Sequence, residues 1–211
     1  TAAAAESEYR LGRATRFLIT TSIFVFLARS FDLHEFFKTG LHIRSFDILA
    51  NGMIEWMPNG LPEVRKGEIW RLITPIFIHY DVFHILFNMW LLAYLGSQIE
   101  RVGGPWFLAL MVCLIAVLSN IAQFAFISPG FGGMSGVVYG IFGYIWFHTK
   151  LNPESEYEIS QTNLYILIGW FFLCLLPGSG VANMVHAIGL LIGVVWGFLS
   201  CRLTIHSNRQ A

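Results

Sequence analysis

The hydrophobic pattern of the chain consists of long apolar runs separated by short polar or glycine-rich stretches. Six runs stand out: Phe17 to Phe37, Val82 to Ile99, Pro105 to Ile127, Met134 to about Phe147, Leu164 to Leu176, and Val181 to Leu203. Most approach the roughly 20 residues that a helix needs to span the hydrocarbon core of a bilayer. Because a chain in lipid must satisfy its own backbone hydrogen bonds, each run is predicted to be a helix. The pattern therefore predicts an all-α polytopic membrane protein with six transmembrane helices.

Composition supports lipid as the solvent. The 211 residues are 55% hydrophobic and 12% charged, whereas soluble domains carry about 25% charged residues. The net charge of zero argues against a nucleic-acid partner. The three cysteines lack the spacing of a metal site and are predicted to be small packing residues. Without internal repeats or linkers, residues 17–203 are predicted to form one domain, flanked by an N-terminal segment (1–16) and a C-terminal tail (204–211).

The distribution of Lys and Arg predicts the orientation in the membrane. Cytoplasmic loops of membrane proteins carry an excess of these residues. They occur before the first run, between the second and third, after the fourth and after the sixth: Arg10, Arg13, Arg16, Arg101, Lys150, Arg202 and Arg209. The pattern predicts that both termini are cytoplasmic. The long loop 38–80 then lies outside although it holds five basic residues, which is tolerable because long loops constrain orientation less.

The stretch FGGMSGVVYG, residues 131–140, places Ser135 at the start of the short fourth run. A helix from Ser135 to Thr149 is about 22 Å long, less than the ~30 Å of hydrocarbon. The glycine-rich segment before it must then descend into the protein, where irregular backbone is tolerated only if it lines a wet cavity or is buried in protein. We predict a cavity open to the outside with Ser135 at its floor and the Ser135 N–H available to an anionic oxygen. The alternative is that Ser135 is only a small packing residue.

His186 lies in the sixth run, and ionisable residues in such segments are functional candidates. Small residues at three- and four-residue spacing let helices approach closely. Two such stripes occur, Gly136, Gly140 and Gly143 in the fourth run and Gly189, Gly193 and Gly197 in the sixth. Packing these stripes together would bring His186 near Ser135. The alternative is a buried histidine that only bonds to a neighbouring helix.

The second run adds His84 and Asn88, which share a helix face because they are four residues apart. They serve either as interhelical hydrogen-bonding groups or as donors aimed at the cavity. Tyr139 shares the face of Ser135 and is expected to pack on the His186 ring. These residues supply a nucleophile, a base and oxyanion donors. No Asp or Glu near Ser135 in the later runs is available to orient the base, so a Ser–His dyad is expected, and no HExxH motif for zinc occurs.

These motifs resemble the rhomboid family of intramembrane serine proteases. The resemblance runs in order from about Trp70 to Gly197, and its residues are Trp70–Arg71, His84 and Asn88 in HILFN, Glu100–Arg101, GMSG from Gly133 to Gly136 with Tyr139, and His186 followed by Gly189 and Gly193. It implies Ser135 as nucleophile, His186 as base, and an oxyanion hole of His84, Asn88 and the Ser135 backbone, with Tyr139, Gly133, Gly136 and Gly189 in support. It also implies a half-submerged outer loop, a mobile cap at Leu176 to Asn183, and substrate entry beside Trp170, Phe171 and Phe172. Val185 departs from the alanine common in the family.

The resulting expectation is an endopeptidase that cleaves transmembrane or juxtamembrane segments of membrane proteins in a bacterial inner membrane. Its partners would be those substrates and the bilayer, with no nucleic acid, and its chemistry would require no metal and no cofactor. Three alternatives remain. A catalytically inactive rhomboid-like scaffold would bind membrane helices, a haem carrier would use His84 and His186 as axial ligands, and a transporter is disfavoured by the lack of repeats.

Overall fold

The computed structural model of the protein describes residues 11–57, 60–174 and 182–208, and the fold over these ranges is mostly helical. Its α-helices are α1 (Arg13–Ser30), α2 (Pro62–Arg65), α3 (Val82–Phe126), α4 (Ser135–Leu151), α5 (Gln161–Cys174) and α6 (Asn183–Asn208). Among the described residues, α3 and the Asn183–Arg202 part of α6 are long and apolar enough to cross a membrane. The count of six spans stays a prediction, as do the boundaries 1–16, 17–203 and 204–211.

The hydrophobic pattern predicted one helix that extends to Phe37. The first apolar run does not form such a helix. Helix α1 ends at Ser30, and Asp32 takes a φ of 55° in the left-handed region. That conformation stops helical hydrogen bonding, and Asp tolerates it better than most residues. A short π-helix, Phe36–Gly40, follows the break. Hydropathy alone does not locate this break, because the polar residues near Asp32 are interspersed with Phe and Leu residues.

The second and third runs are joined into α3, which is kinked at one residue. Gly104 has φ 81° and ψ 169°, outside the helical region, and Pro105 begins the second half. Only glycine adopts that conformation without strain, and proline suits the first turn of a helix. The predicted loop between Ile99 and Pro105 is therefore helical except at Gly104, and α3 comprises two helices that share a single hinge residue.

The loop 38–80 contains a β-hairpin that the all-α prediction lacked. Strands β1 (Phe46–Ile48) and β2 (Ile54–Trp56) pair antiparallel, with Phe46 opposite Trp56 and Ile48 opposite Ile54. Asn51–Gly52 lies in the connection, where Gly52 has a φ of 79°, and Asn-Gly is a strong hairpin signal. The loop also holds α2 and two 3₁₀ helices, Ile69–Leu72 and Thr74–Phe77. The segment between α1 and α3 is therefore structured, partly as sheet.

Helix α4 is the central helix of the core. Every residue from Gly136 to Ile145 is buried. A Cβ atom at Gly189 or Gly193 would collide with the carbonyl oxygens of Gly136 or Gly140, respectively. These glycines let the backbones of α4 and α6 touch, as the two stripes predicted. The contact fixes the position of the first turn of α6 against the first turn of α4.

The carboxylate of Glu100 holds the start of α1. Its oxygens accept hydrogen bonds from the Ala14 N–H, the Thr15 N–H and the Thr15 hydroxyl, each at 2.8 Å. The first N–H groups of a helix lack partners within that helix. A charged side chain from α3 therefore does what an N-cap residue of α1 would do, and ties α1 to the core.

We expect Glu100→Ala to lower the free energy of unfolding by about 2 kcal/mol, because charge-assisted hydrogen bonds to buried N–H groups are lost. The thermal unfolding midpoint in detergent measures this. Glu154→Ala is the matched control, because Glu154 is an exposed carboxylate in the loop after α4. Equal midpoints for the two variants would contradict the proposed role of Glu100.

Candidate active site

Ser135 and His186 lie within hydrogen-bonding distance, with Oγ of the serine 2.7 Å from Nε2 of the histidine. Ser135 is the first residue of α4, and His186 lies in the first turn of α6. The His186 ring is 3% exposed. Its Nδ1 has no hydrogen-bond partner among the described residues, so no carboxylate orients this imidazole there. The arrangement provides a hydroxyl and a base, as expected of a dyad.

Tyr139 supplies the contact that orients the His186 ring. The two ring centroids are 4.9 Å apart with an interplanar angle of 43°. The Tyr139 hydroxyl donates to the carbonyl oxygen of Leu167 at 3.2 Å, which ties α4 to α5. Val185, the departure noted in the sequence, packs its side chain towards Gly136. It leaves the short contact between Ser135 and His186 intact.

His84 and Asn88 line the same cavity as Ser135 and His186. The Asn88 side-chain amide donates to the His84 carbonyl oxygen at 2.8 Å, which leaves its second N–H available. A Cβ atom at Gly133 would lie 2.6 Å from Nε2 of His84, and Gly133 has a φ of 122°. Only glycine therefore lets the turn before Ser135 pass so close to the His84 ring.

The cavity has a volume of about 850 Å³ and is lined mainly by apolar side chains. It contains Ser135, His186, His84, Asn88 and Tyr139. Gly133 lies against His84, whereas Gly136 and Gly189 lie in the contact between α4 and α6. The predicted cap, Leu176 to Asn183, falls almost entirely outside the described residues. Since the Nε2 atom of His186 is engaged by Ser135, the histidine is poorly suited to bind haem iron.

The chain is similar to known proteins over about two thirds of its length. A family model described as the rhomboid domain matches residues 66–203. The chain belongs to the rhomboid family. Proteins named rhomboid protease GlpG from Salmonella newport and Salmonella typhi are both 36% identical to this rhomboid chain over 149 residues, which is 68% of the chain and 53% of each relative. The chain thus spans about half the length of the curated relatives it matches.

A third histidine of the rhomboid site, beside His186 and His84, lies outside the sequence motifs. His79 is 2% exposed. Its Nδ1 lies 3.2 Å from the Phe77 carbonyl oxygen, and its Nε2 lies 3.5 Å from the Met134 nitrogen. Burial, with a contribution from His84, lowers the pKa of His79 to about 3. In the neutral form, Nδ1–H donates to Phe77 and Nε2 accepts from Met134, so His79 supports the residue just before Ser135.

The Trp70–Arg71 motif positions the loop 38–80 rather than the dyad. Nη1 of Arg71 donates to the carbonyl oxygens of Thr39 at 3.1 Å and His42 at 2.9 Å. The 3₁₀ helix that follows then presents the Pro75 carbonyl oxygen, which accepts from the Gly133 N–H at 3.0 Å. The loop thereby supports the turn that precedes Ser135. Within the described part of the chain, no three His, Cys, Asp or Glu side chains are grouped as metal ligands.

Proposed function

We propose that this chain is an intramembrane serine endopeptidase in which Ser135 is the nucleophile and His186 the general base. The observation that carries the proposal is the 2.7 Å contact between the Ser135 hydroxyl and the His186 imidazole inside the cavity. Membership of the rhomboid family and likeness to proteins named rhomboid proteases support it.

The reaction begins when Nε2 of His186 takes the proton from the Ser135 hydroxyl. The serine oxygen attacks the scissile carbonyl carbon, and the negative charge moves to the carbonyl oxygen. The Ser135 N–H, at a helix start, and the side chains of His84 and Asn88 donate to that oxygen. His186 then gives the proton to the leaving amine, and a cavity water hydrolyses the acyl-enzyme with the same base.

The substrates are transmembrane or juxtamembrane segments of membrane proteins, unwound near their outer ends. A substrate carbonyl becomes available only where the helical hydrogen bonds are broken. On this proposal, the halves of α3 each span the bilayer with α1, α4, α5 and α6, which makes six spans with both termini cytoplasmic in a bacterial inner membrane. The substrate enters beside α5, where Trp170 contacts Phe87 of α3 at 4.8 Å between ring centroids.

Labelling with a fluorophosphonate tests the proposal, because such probes react only with an activated serine. The purified protein in a nonionic detergent is expected to be labelled, and mass spectrometry should locate the adduct on Ser135. A folded wild type that takes up no probe would overturn the enzymatic proposal. The helix-binding scaffold, which needs no activated hydroxyl, would then be favoured.

We expect Asn88→Ala to lower kcat by about 10²–10³-fold with little change in KM, since an oxyanion donor acts mainly in the transition state. Steady-state cleavage of a single-span model substrate in detergent measures both constants. Asn152→Ala is the control, because Asn152 lies just after α4, at the end opposite Ser135. A wild-type kcat for Asn88→Ala would remove Asn88 from the oxyanion hole.

A further inference from the structure

Asp81 gives the described part of the cavity lining its formal charge. Of the described residues that line the cavity, Asp81 is the only one whose side chain carries a formal charge at neutral pH when the histidines are counted as neutral. Residues 175–181, which precede α6, contain no Asp, Glu, Lys or Arg. That segment therefore cannot add a compensating charge wherever it lies.

Asp81 is held at the outer lip of the cavity. It is the N-cap of α3, and its Oδ1 accepts a hydrogen bond from the His84 N–H at 2.8 Å. The residue is exposed, as are its neighbours Tyr80 and Phe83, which also line the cavity. A carboxylate offers about four acceptor positions, so this capping bond leaves most of them available. The group is both positioned and accessible.

The cations near this lip do not neutralise Asp81. No described Lys or Arg lies within ion-pair distance of its carboxylate. Arg29 interacts electrostatically with Tyr80, but its Nη1 donates to the Phe37 carbonyl oxygen at 2.9 Å. A cleft with apolar walls and one sign of charge concentrates the electric field and attracts ligands of the opposite sign. Asp81 precedes the oxyanion donor His84 by three residues, so this field acts close to the reacting carbonyl.

We propose that Asp81 selects substrates that carry a Lys or Arg side chain on the water-facing side of the scissile bond and disfavours those with Asp or Glu there. This inference rests on the proposed function and specifies the substrate class of the same site. The carboxylate attracts the cationic side chain as the substrate enters, while its Oδ1 continues to cap α3. The apolar walls accept the rest of the segment.

Three fluorophosphonates with the same reactive head and different tails test the inference: trimethylammonium, sulfonate and uncharged polyether. Second-order labelling rates are measured in a nonionic detergent at low ionic strength. We expect the wild type to react about fivefold faster with the cationic than with the anionic probe, and high salt to reduce that ratio. In Asp81→Asn the ratio should fall to within about twofold of one. Asparagine is an equally good N-cap, so α3 keeps its start.

Two further variants complete the test. Asp81→Ser also caps the helix without charge and should lose the preference, whereas Asp47→Asn removes an exposed outer-loop carboxylate that does not line the cavity and should keep it. The role of Asp81 would be overturned if Asp81→Asn and Asp81→Ser kept the wild-type ratio of cationic to anionic labelling rates. It would also be overturned if the wild-type ratio were near one. Neither result would affect the proposed function. Failure of the uncharged probe to label wild-type Ser135 would overturn the proposed function, and this inference with it.

Discussion

Replacing Ser135 by alanine is expected to abolish fluorophosphonate labelling and to lower substrate turnover by at least about 10⁴-fold. Loss of the nucleophile in serine proteases costs up to about 10⁶ in kcat, and the remaining rate comes from the oxyanion hole and binding. The serine side chain is small, and alanine fits its space at the start of α4, so the fold should persist. Ser30→Ala is the matched control, because the Ser30 hydroxyl only bonds back to the Phe26 carbonyl oxygen on α1.

The same loss is expected for His186→Ala, and the double variant should be no worse than either single one. The two groups act as a unit through their 2.7 Å contact, and such effects are strongly non-additive. His34→Ala is the control for the histidine, since His34 is exposed and its Nδ1 accepts only from a nearby backbone N–H. Multiplicative losses would mean that Ser135 and His186 contribute separately, which is incompatible with a dyad.

Five residues that line the cavity could be predicted from the sequence because their spacing follows the geometry of helices: Ser135, His186, His84, Asn88 and Tyr139. His84 and Asn88 share a face four residues apart, and the glycine stripes specify which faces of two helices can meet. Ser135 was expected at a helix start, and α4 begins at that residue. These inferences need only local periodicity and the requirement that a helix in lipid makes all of its own backbone hydrogen bonds.

Other features could not be predicted because they depend on distant contacts. His79 contacts the nitrogen of Met134, 55 residues away, and nothing in its own neighbourhood distinguishes it from a loop histidine. Glu100 caps a helix that begins 87 positions earlier in the chain. The hairpin at Phe46–Trp56 has a local signal, Asn51–Gly52, but its three-residue strands are too short to stand out as apolar runs. Hydropathy describes transmembrane helices well and structured loops poorly.

Gly193→Ala, which adds one methyl group, is expected to destabilise the fold strongly. A Cβ atom there would overlap the Gly140 carbonyl oxygen of α4. A backbone atom cannot rotate away as a side chain can, so the two helices must separate. We expect Gly193→Ala to lower the free energy of unfolding by about 3 kcal/mol, at the upper end of ordinary overpacking. The thermal unfolding midpoint in detergent measures this loss.

The separation should also lengthen the contact between Ser135 and His186, which lie on the two helices that move apart. Labelling by the uncharged fluorophosphonate, measured below the unfolding temperature, is therefore expected to slow about 10²-fold, since misplacing a catalytic group by about 1 Å costs this much. Gly169→Ala is the matched control, because nothing lies within 4 Å of a Cβ atom at that position of α5. Alanine favours helix by about 1 kcal/mol over glycine, so Gly169→Ala should be neutral or slightly stabilising. If Gly193→Ala unfolds at a lower temperature but labels at the wild-type rate, the glycine stripes stabilise the fold without setting the distance between nucleophile and base.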